Sequence, residues 1–101
     1  MISAAAAQAI SEIKDAINTR DLLTVQEYYQ ELETTDIFDQ IDPAYLFQKV
    51  YLHSCLKGCQ DISSWLEKEI YPSLPEISRI SISQVFAYGR HLLRQASRVR
   101  R

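Results

Sequence analysis

The residues of this sequence that are best suited to chemistry are two cysteines and two histidines: His53, Cys55, Cys59 and His91. Two thiolates and two imidazoles are a sufficient ligand set for tetrahedral zinc. The spacing argues against such a site, because Cys55 and Cys59 are separated by three residues rather than by the two of the usual zinc knuckle. His53 and Cys55 would also project about 200° apart on one helix. We therefore predict no metal site.

The same residues could serve a redox reaction or nucleophilic catalysis. A thioredoxin-type redox pair has two intervening residues and a βαβ context. A cysteine nucleophile paired with a histidine base needs a third orienting group and an oxyanion hole, and neither is recognisable in the sequence. We predict a protein that is not an enzyme and has no cofactor or small-molecule substrate. In this interpretation Cys55 is a small buried residue and Cys59 is exposed.

Three aspartates, Asp36, Asp39 and Asp42, lie close together and raise the question of calcium. The EF-hand loop requires a central glycine and a terminal glutamate at fixed offsets, which this segment lacks. Helix capping and solvation account for these aspartates, and we predict no calcium site.

Length and composition indicate one small helical domain over residues 1–101. The chain has 101 residues, is 47% hydrophobic and 24% charged, and contains only 2 glycines and 3 prolines. This composition is typical of a globular protein and favours helix throughout. No basic, apolar leader and no run of 18 apolar residues is present, so we expect no secretory signal and no membrane partner. Two closely spaced cysteines in such a chain suggest a reducing, cytoplasmic location.

The apolar periodicity predicts about five helices and no strand. The helices cover residues 4–17, 24–32, 43–57, about 61–70 and 82–99. Asp42 followed by Pro43 is a strong start signal for the third helix. Thr24 with Glu27, and Ser81 with Gln84, have the spacing of capping boxes for the second and last helices. A single turn around Ile37 and Phe38 is expected between the second and third helices.

Charge is unevenly distributed along the chain. Residues 1–78 carry 5 Lys and Arg against 13 Asp and Glu, whereas residues 79–101 carry 6 Arg and no acid, so that −8 and +6 give the net charge of −2. Arg90, Arg94, Arg98 and Arg101 recur at steps of four, four and three, which stacks them on one helix face. Residues 90–101 are therefore predicted to form a basic end of the last helix.

Two stretches 38 residues apart share a layout: "AINTRDLLTVQEYY" and "SCLKGCQDISSWLE". In each, a small residue ends one helix, a tight polar turn follows, and an apolar residue and a bulky pair open the next helix. The second stretch resembles the second half of an ankyrin repeat, small-small-x-x-Gly-x-x-Glu-x-Val-x-x-Leu-Leu. The positions that match are Ser54, Cys55, Gly58, Asp61, Trp65 and Leu66.

The resemblance covers about half the chain. Its tryptophan-leucine variant is similar to divergent ankyrin repeats common in large DNA viruses and protists. In the first copy Arg20 replaces the glycine, a third copy would place Gly89 at that position, and no Thr-Pro-Leu-His signature occurs. The resemblance implies stacked helical hairpins that bind another protein. An irregular helical bundle is the alternative architecture.

We therefore predict a protein–protein interaction module or small adaptor subunit. Its partner is another protein with an acidic surface or a second copy of the chain, in which residues 12–42 hold 9 acids against 2 bases. Nucleic-acid binding through the last helix is the alternative function. The predicted contact residues are Arg90, Arg94, Arg98, Arg101, Tyr28 and Tyr29, with Trp65 as a further candidate anchor.

Overall fold

A computed structural model describes residues 3–99, which form six α-helices and no β-strand. The helices are α1 (Ala4–Asn18), α2 (Leu22–Glu33), α3 (Pro43–Leu56), α4 (Gln60–Trp65), α5 (Glu76–Ser81) and α6 (Val85–Val99). A 3₁₀ turn at Ile37–Asp39 lies between α2 and α3. A π-helical segment, Leu66–Ile70, and a 3₁₀ turn, Tyr71–Ser73, continue α4. The prediction of a small all-α domain is confirmed.

Side-chain caps mark the starts of α1, α2 and α3. The Asp42 carboxylate accepts from the Ala44 backbone N–H at 3.0 Å, and Pro43 is the first residue of α3, as predicted. The prediction of a capping box at Thr24 is wrong, because α2 begins earlier. Asp21 caps it by accepting from the Leu23 N–H at 3.2 Å, and Thr24 Oγ1 donates to the same carboxylate at 2.7 Å.

The second predicted capping box is also wrong. Ser81 is the last residue of α5, and α6 begins only at Val85, after the turn at residues 82–84. The last helix is therefore three residues shorter at its start than the periodicity predicts.

Two left-handed residues end α1 and α3 in the same way. Arg20 has φ 63° and Gly58 has φ 72°, and each directly follows the C-cap residue of its helix. The Arg20 N–H donates to the Ile17 carbonyl at 2.9 Å, and the Gly58 N–H donates to the Cys55 carbonyl at 3.0 Å. A left-handed residue at this position reverses the chain and satisfies the last carbonyls of the helix. The two turns, 38 residues apart in sequence, thus share a left-handed residue and its hydrogen bond. They differ at the next residue, where the Cys59 N–H donates to the Ser54 carbonyl and the Asp21 N–H donates to Thr19 Oγ1.

The two helical hairpins that follow from these turns pack side by side. At the start of α1, Ser3 Oγ donates to Gln40 Oε1, just before α3, at 2.9 Å. At the other end, His53 Nε2 on α3 is 2.9 Å from Asn18 Oδ1 on α1. Because the start of α1 lies beside the start of α3, and the two ends also lie together, α1 and α3 run in the same direction. In the second layer α2 meets α4, where the rings of Tyr29 and Trp65 make an edge-to-face contact at 5.8 Å.

Helix α3 is the centre of the stack, with α1 and α6 on opposite sides. Lys49 and His53 face α1, whereas Phe47 and Tyr51 contact α6. These two faces of α3 are about 160° apart at 3.6 residues per turn. The buried apolar residues of the domain form one core: Ala6, Ala9, Ile10, Ile13, Ile17, Val25, Tyr29, Leu32, Ile37, Ile41, Ala44, Leu46, Phe47, Val50, Tyr51, Cys55, Cys59, Ile62, Leu66, Ile70, Leu74 and Ile82.

Helix α6 approaches α3 closely at Gly89. A Cβ atom at this position would lie 2.4 Å from a Tyr51 ring carbon and 2.9 Å from Cys55 Sγ. Beside it, the ring of Phe86 packs edge-on against Tyr51 at 5.2 Å and Tyr71 at 4.6 Å. Gly89 lies inside a helix rather than at a turn, so the placement of a third repeat turn at Gly89 is wrong. The glycine allows two helices to touch.

Among residues 3–99, no helix combines the length and the apolar character that crossing a bilayer requires.

We predict that Gly89→Ala destabilises the domain by about 1–3 kcal/mol, the usual cost of overpacking a well-filled core. Alanine alone would strengthen the helix by about 1 kcal/mol, so a loss of stability isolates the clash with Tyr51. Urea unfolding followed by circular dichroism measures it. Gln95→Ala, at an exposed position of the same helix, is the control and should change the free energy of unfolding by less than about 0.5 kcal/mol.

The two turns give a second prediction. Gly58→Ala should lower the free energy of unfolding by about 1 kcal/mol, because a residue with a Cβ is strained at φ 72°. Arg20→Gly should raise it by a few tenths of a kcal/mol, because it relieves the same strain at φ 63°. Lys57→Gly, at φ −83°, is the control and should destabilise. A destabilising Arg20→Gly change would show that the two turns are not equivalent.

Candidate functional site

The predicted arginines lie on the surface of α6. Arg94 and Arg98 are exposed, and Arg90 is exposed but pairs with Glu67 through Nη2 and Oε1 at 3.4 Å. We call Arg90, Arg94 and Arg98 the arginine ridge. Arg101 lies outside the described residues. Helix α6 contains no acidic residue, so within it nothing offsets the three positive charges.

Two residues of the arginine ridge, Arg94 and Arg98, point away from the rest of the domain. Gly89 marks the side of α6 that touches α3. At 3.6 residues per turn, Arg94 and Arg98 lie about 140° and 180° around the helix from Gly89. Arg90 lies nearer the packed side, which is why it reaches Glu67 in the π-helical segment that continues α4. The outer surface of α6 thus carries Arg94 and Arg98, which have no ion pair within residues 3–99.

A second charged feature lies at the other end of the stack, in an open groove of about 370 Å³ between α1 and α2. We call it the acidic groove. Glu12, Glu31 and Asp36 supply three carboxylates to its lining, which contains no Lys, Arg or His. The remaining lining residues are Ala5, Gln8, Ala9, Tyr28, Leu32, Thr35, Ile37 and Gln40. The sequence shows the excess of acid in residues 12–42, but not that two separate helices assemble it into a groove.

Hydrogen bonds fix the central carboxylate of the groove. The Tyr28 hydroxyl donates to one oxygen of Glu12, and Gln8 Nε2 donates to the other at 3.1 Å. These two bonds hold the pKa of the exposed Glu12 carboxyl below its usual range, and the bond from Tyr28 has the larger effect. Partial burial and the bond to Glu12 raise the pKa of the Tyr28 hydroxyl well above its usual range. Glu12 is therefore ionised and oriented.

The structure separates the tyrosines predicted as contact residues. Tyr28 is half-buried and lines the acidic groove, on the side of the domain opposite the arginine ridge. Tyr29 is only 3% exposed and belongs to the core, so its ring is not available to a partner in this fold. Trp65 is partly buried against the core and contacts Tyr29. These two rings connect α2 to α4.

The cysteines and serines between α3 and α4 form a buried network. Ser54 Oγ and Ser63 Oγ are 2.8 Å apart, and Cys55 Sγ is 3.4 Å from Ser63 Oγ. Burial raises the pKa of the Cys55 thiol, whereas nucleophilic thiols are activated by a lowered pKa. Cys59 is 4% exposed, so the prediction that it is exposed is wrong; its thiol lies 3.9 Å from the Ile17 carbonyl, at the junction of the two turns.

Two of the residues considered as metal ligands have other partners in the structure. His53 bonds to Asn18 across α1 and α3, and Asp42 caps α3. Within residues 3–99, no three His, Cys, Asp or Glu side chains are grouped so that they could hold a metal ion.

Helix α5 adds an exposed apolar surface that the sequence pattern does not distinguish from core. Ile77 is 80% exposed and Ile80 is 69% exposed. They lie one turn apart on a short helix that begins after Pro75. Neighbouring exposed isoleucines of this kind are typical of surfaces that contact other molecules.

Comparisons of the chain with protein-family models, with curated proteins and with solved structures found no match. The resemblance to ankyrin repeats stays a prediction that depends on the residues quoted for it.

The bond between α1 and α3 gives a prediction of pH dependence. Burial, and then the charges of Lys14 and Lys57, lower the pKa of His53 below its usual 6.5. The unfolded chain therefore takes up the proton more readily than the folded one, and stability should fall as the pH is lowered through about 6.5. Urea unfolding at several pH values between about 7.5 and 5.5 measures this.

His53→Gln keeps a donor near Asn18 and should flatten that pH dependence. His91→Gln, which removes the exposed histidine of α6, is the matched control. An unchanged slope in the His53 variant would contradict the assignment of the pH dependence to this residue.

Proposed function

We propose that this chain is a non-enzymatic protein–protein interaction module whose arginine ridge binds an acidic protein surface. The observation that carries the proposal is the outer surface of α6. Arg94 and Arg98 are exposed, without an ion pair within residues 3–99, on a 15-residue helix with no acid. Unneutralised charge of one sign on one face attracts a partner of opposite charge.

The rigidity of α6 supports this proposal. Gly89 brings its backbone against Tyr51, and Phe86 packs among the rings of Phe47, Tyr51 and Tyr71. The backbone of a helix that is held in this way needs no reordering on binding, so the entropic cost falls only on the side chains. Arg94 and Arg98 are four residues, about 6 Å, apart along the axis.

The chemistry of arginine favours a carboxylate or phosphate partner. Its planar guanidinium binds either group with two parallel hydrogen bonds, which lysine cannot do. Carboxylates four residues apart on a facing helix would match the spacing of Arg94 and Arg98. The exposed isoleucines of α5, Ile77 and Ile80, would add apolar contact area of the kind common at protein interfaces.

The proposal of a non-enzymatic protein draws support from the buried network. The Cys55 thiol has a raised pKa and bonds to Ser63 in the interior, where a substrate would not reach it. The proposal includes a reducing compartment such as the cytoplasm, in which thiols of this kind persist.

We expect a fluorescent glutamate-rich peptide to bind the protein in an anisotropy titration at about 50 mM salt. The double change Arg94→Gln and Arg98→Gln should weaken binding about tenfold, or 1.4 kcal/mol. The double change Lys57→Gln and Lys68→Gln removes the same charge from exposed positions outside α6 and should have a much smaller effect. Equal losses in both variants would contradict a specific ridge, as would the absence of binding.

Nucleic-acid binding is tested with labelled single-stranded and duplex DNA in the same assay. Phosphate binding shows a linear fall of log affinity with log salt concentration, with a slope set by the number of contacts. We expect the acidic peptide to bind more tightly than either DNA. Tighter binding of DNA, lost in the ridge variant, would favour the alternative function.

A further inference from the structure

We propose that the acidic surface bound by the arginine ridge is a second copy of this chain, which receives the ridge in its acidic groove. The inference rests on the proposed function, since it names the partner of the same ridge. It predicts head-to-tail association, in which α6 of one copy lies across α1 and α2 of the next.

The two surfaces are complementary in charge. The acidic groove presents Glu12, Glu31 and Asp36 with no cation in its lining, and α6 presents its arginines with no acid. Like surfaces would repel, because ridge against ridge brings arginines together and groove against groove brings carboxylates together. Charge complementarity of this form selects the unlike pairing.

The acidic groove is also prepared for a guanidinium group. Glu12 is held ionised by the bonds from Tyr28 and Gln8, so its carboxylate need not be reoriented on binding. The ring of Tyr28 lines the same groove, and arginine stacks favourably on tyrosine faces. The groove is open, with space of about 370 Å³ in which arginine side chains can be accommodated.

The fold prevents the two surfaces from meeting within one chain. Helix α3 lies between them, with α1 on one face and α6 on the face about 160° away. The ridge faces away from α3 on the α6 side. Glu12 faces away from α3 on the α1 side, since Lys14, which lies toward α3, is about 200° from it around α1. Ridge and groove can therefore pair only between copies.

This pairing is heterologous, so each association leaves one groove and one ridge unused. Unless the geometry closes a ring, such contacts continue to add copies. We expect the weight-average mass in sedimentation velocity to keep rising with protein concentration at about 50 mM salt and to return toward the monomer at about 500 mM. A monomer at every concentration, or a mass that stops at a dimer at low salt, would overturn the inference.

Two variants, each with charged side chains replaced by neutral glutamine, test the pairing itself. Glu12→Gln with Glu31→Gln disables the groove, and Arg94→Gln with Arg98→Gln disables the ridge. Each variant alone should associate at least about tenfold more weakly than the unchanged protein. Mixed together, they retain one intact groove and one intact ridge, so the mixture should form a complex of two chains and no larger. A mixture that stays monomeric would overturn the inference.

The control replaces two exposed acids that lie outside the groove, Glu33→Gln with Glu69→Gln. It should associate like the unchanged protein, and an equal loss in this variant would overturn the assignment to the groove. The peptide assay separates the two proposals. If the ridge binds the glutamate-rich peptide but the chains do not associate, the self-pairing fails and the interaction module stands. If neither occurs, both fail.

Discussion

The geometry of this domain depends on one backbone constraint, the left-handed residue that ends α1 and α3. Arg20 and Gly58 both adopt positive φ, and each reverses the chain so that the next helix folds back on the previous one. The two turns touch, since Arg20 Nη1 lies 3.9 Å from Cys59 Sγ. The two reversals produce two hairpins, α1–α2 and α3–α4, whose first helices run in the same direction.

This arrangement makes α3 the shared wall of the core and leaves two ends that differ in charge. On one side of α3, α1 and α2 form the acidic groove; on the other, α6 packs so closely at Gly89 that a side chain would not fit. The burial of Phe47, Tyr51 and their neighbours stabilises the interior, and neither arginines nor acids take part in it. The arginine ridge and the acidic groove therefore lie outside the core, at the two ends of the stack.

The sequence predicts those features that depend on local chemistry. The offset of 38 residues, the start of α3 at Asp42 and the arginine stripe follow from turn residues, caps and helical periodicity. The sequence does not predict features that depend on competition between capping residues or on contacts between helices. Asp21 takes the cap predicted for Thr24 because it lies three residues earlier and can bond to both the backbone and Thr24 itself. The acidic groove joins α1 to α2, and no local pattern shows that Tyr28 bonds across them while its neighbour Tyr29 is buried.

The most direct test of the account is carbodiimide cross-linking of a mixture of unlabelled and nitrogen-15-labelled protein that carries Arg94→Lys, which supplies a reactive amine on the ridge. Mass spectrometry of the digest identifies which chains each cross-link joins. Head-to-tail pairing predicts links from position 94 to Glu12 or Glu31 that join labelled to unlabelled peptides. Links between these positions that never mix the two labels would place ridge and groove together within one chain and contradict the fold. The absence of any such link would contradict the head-to-tail pairing.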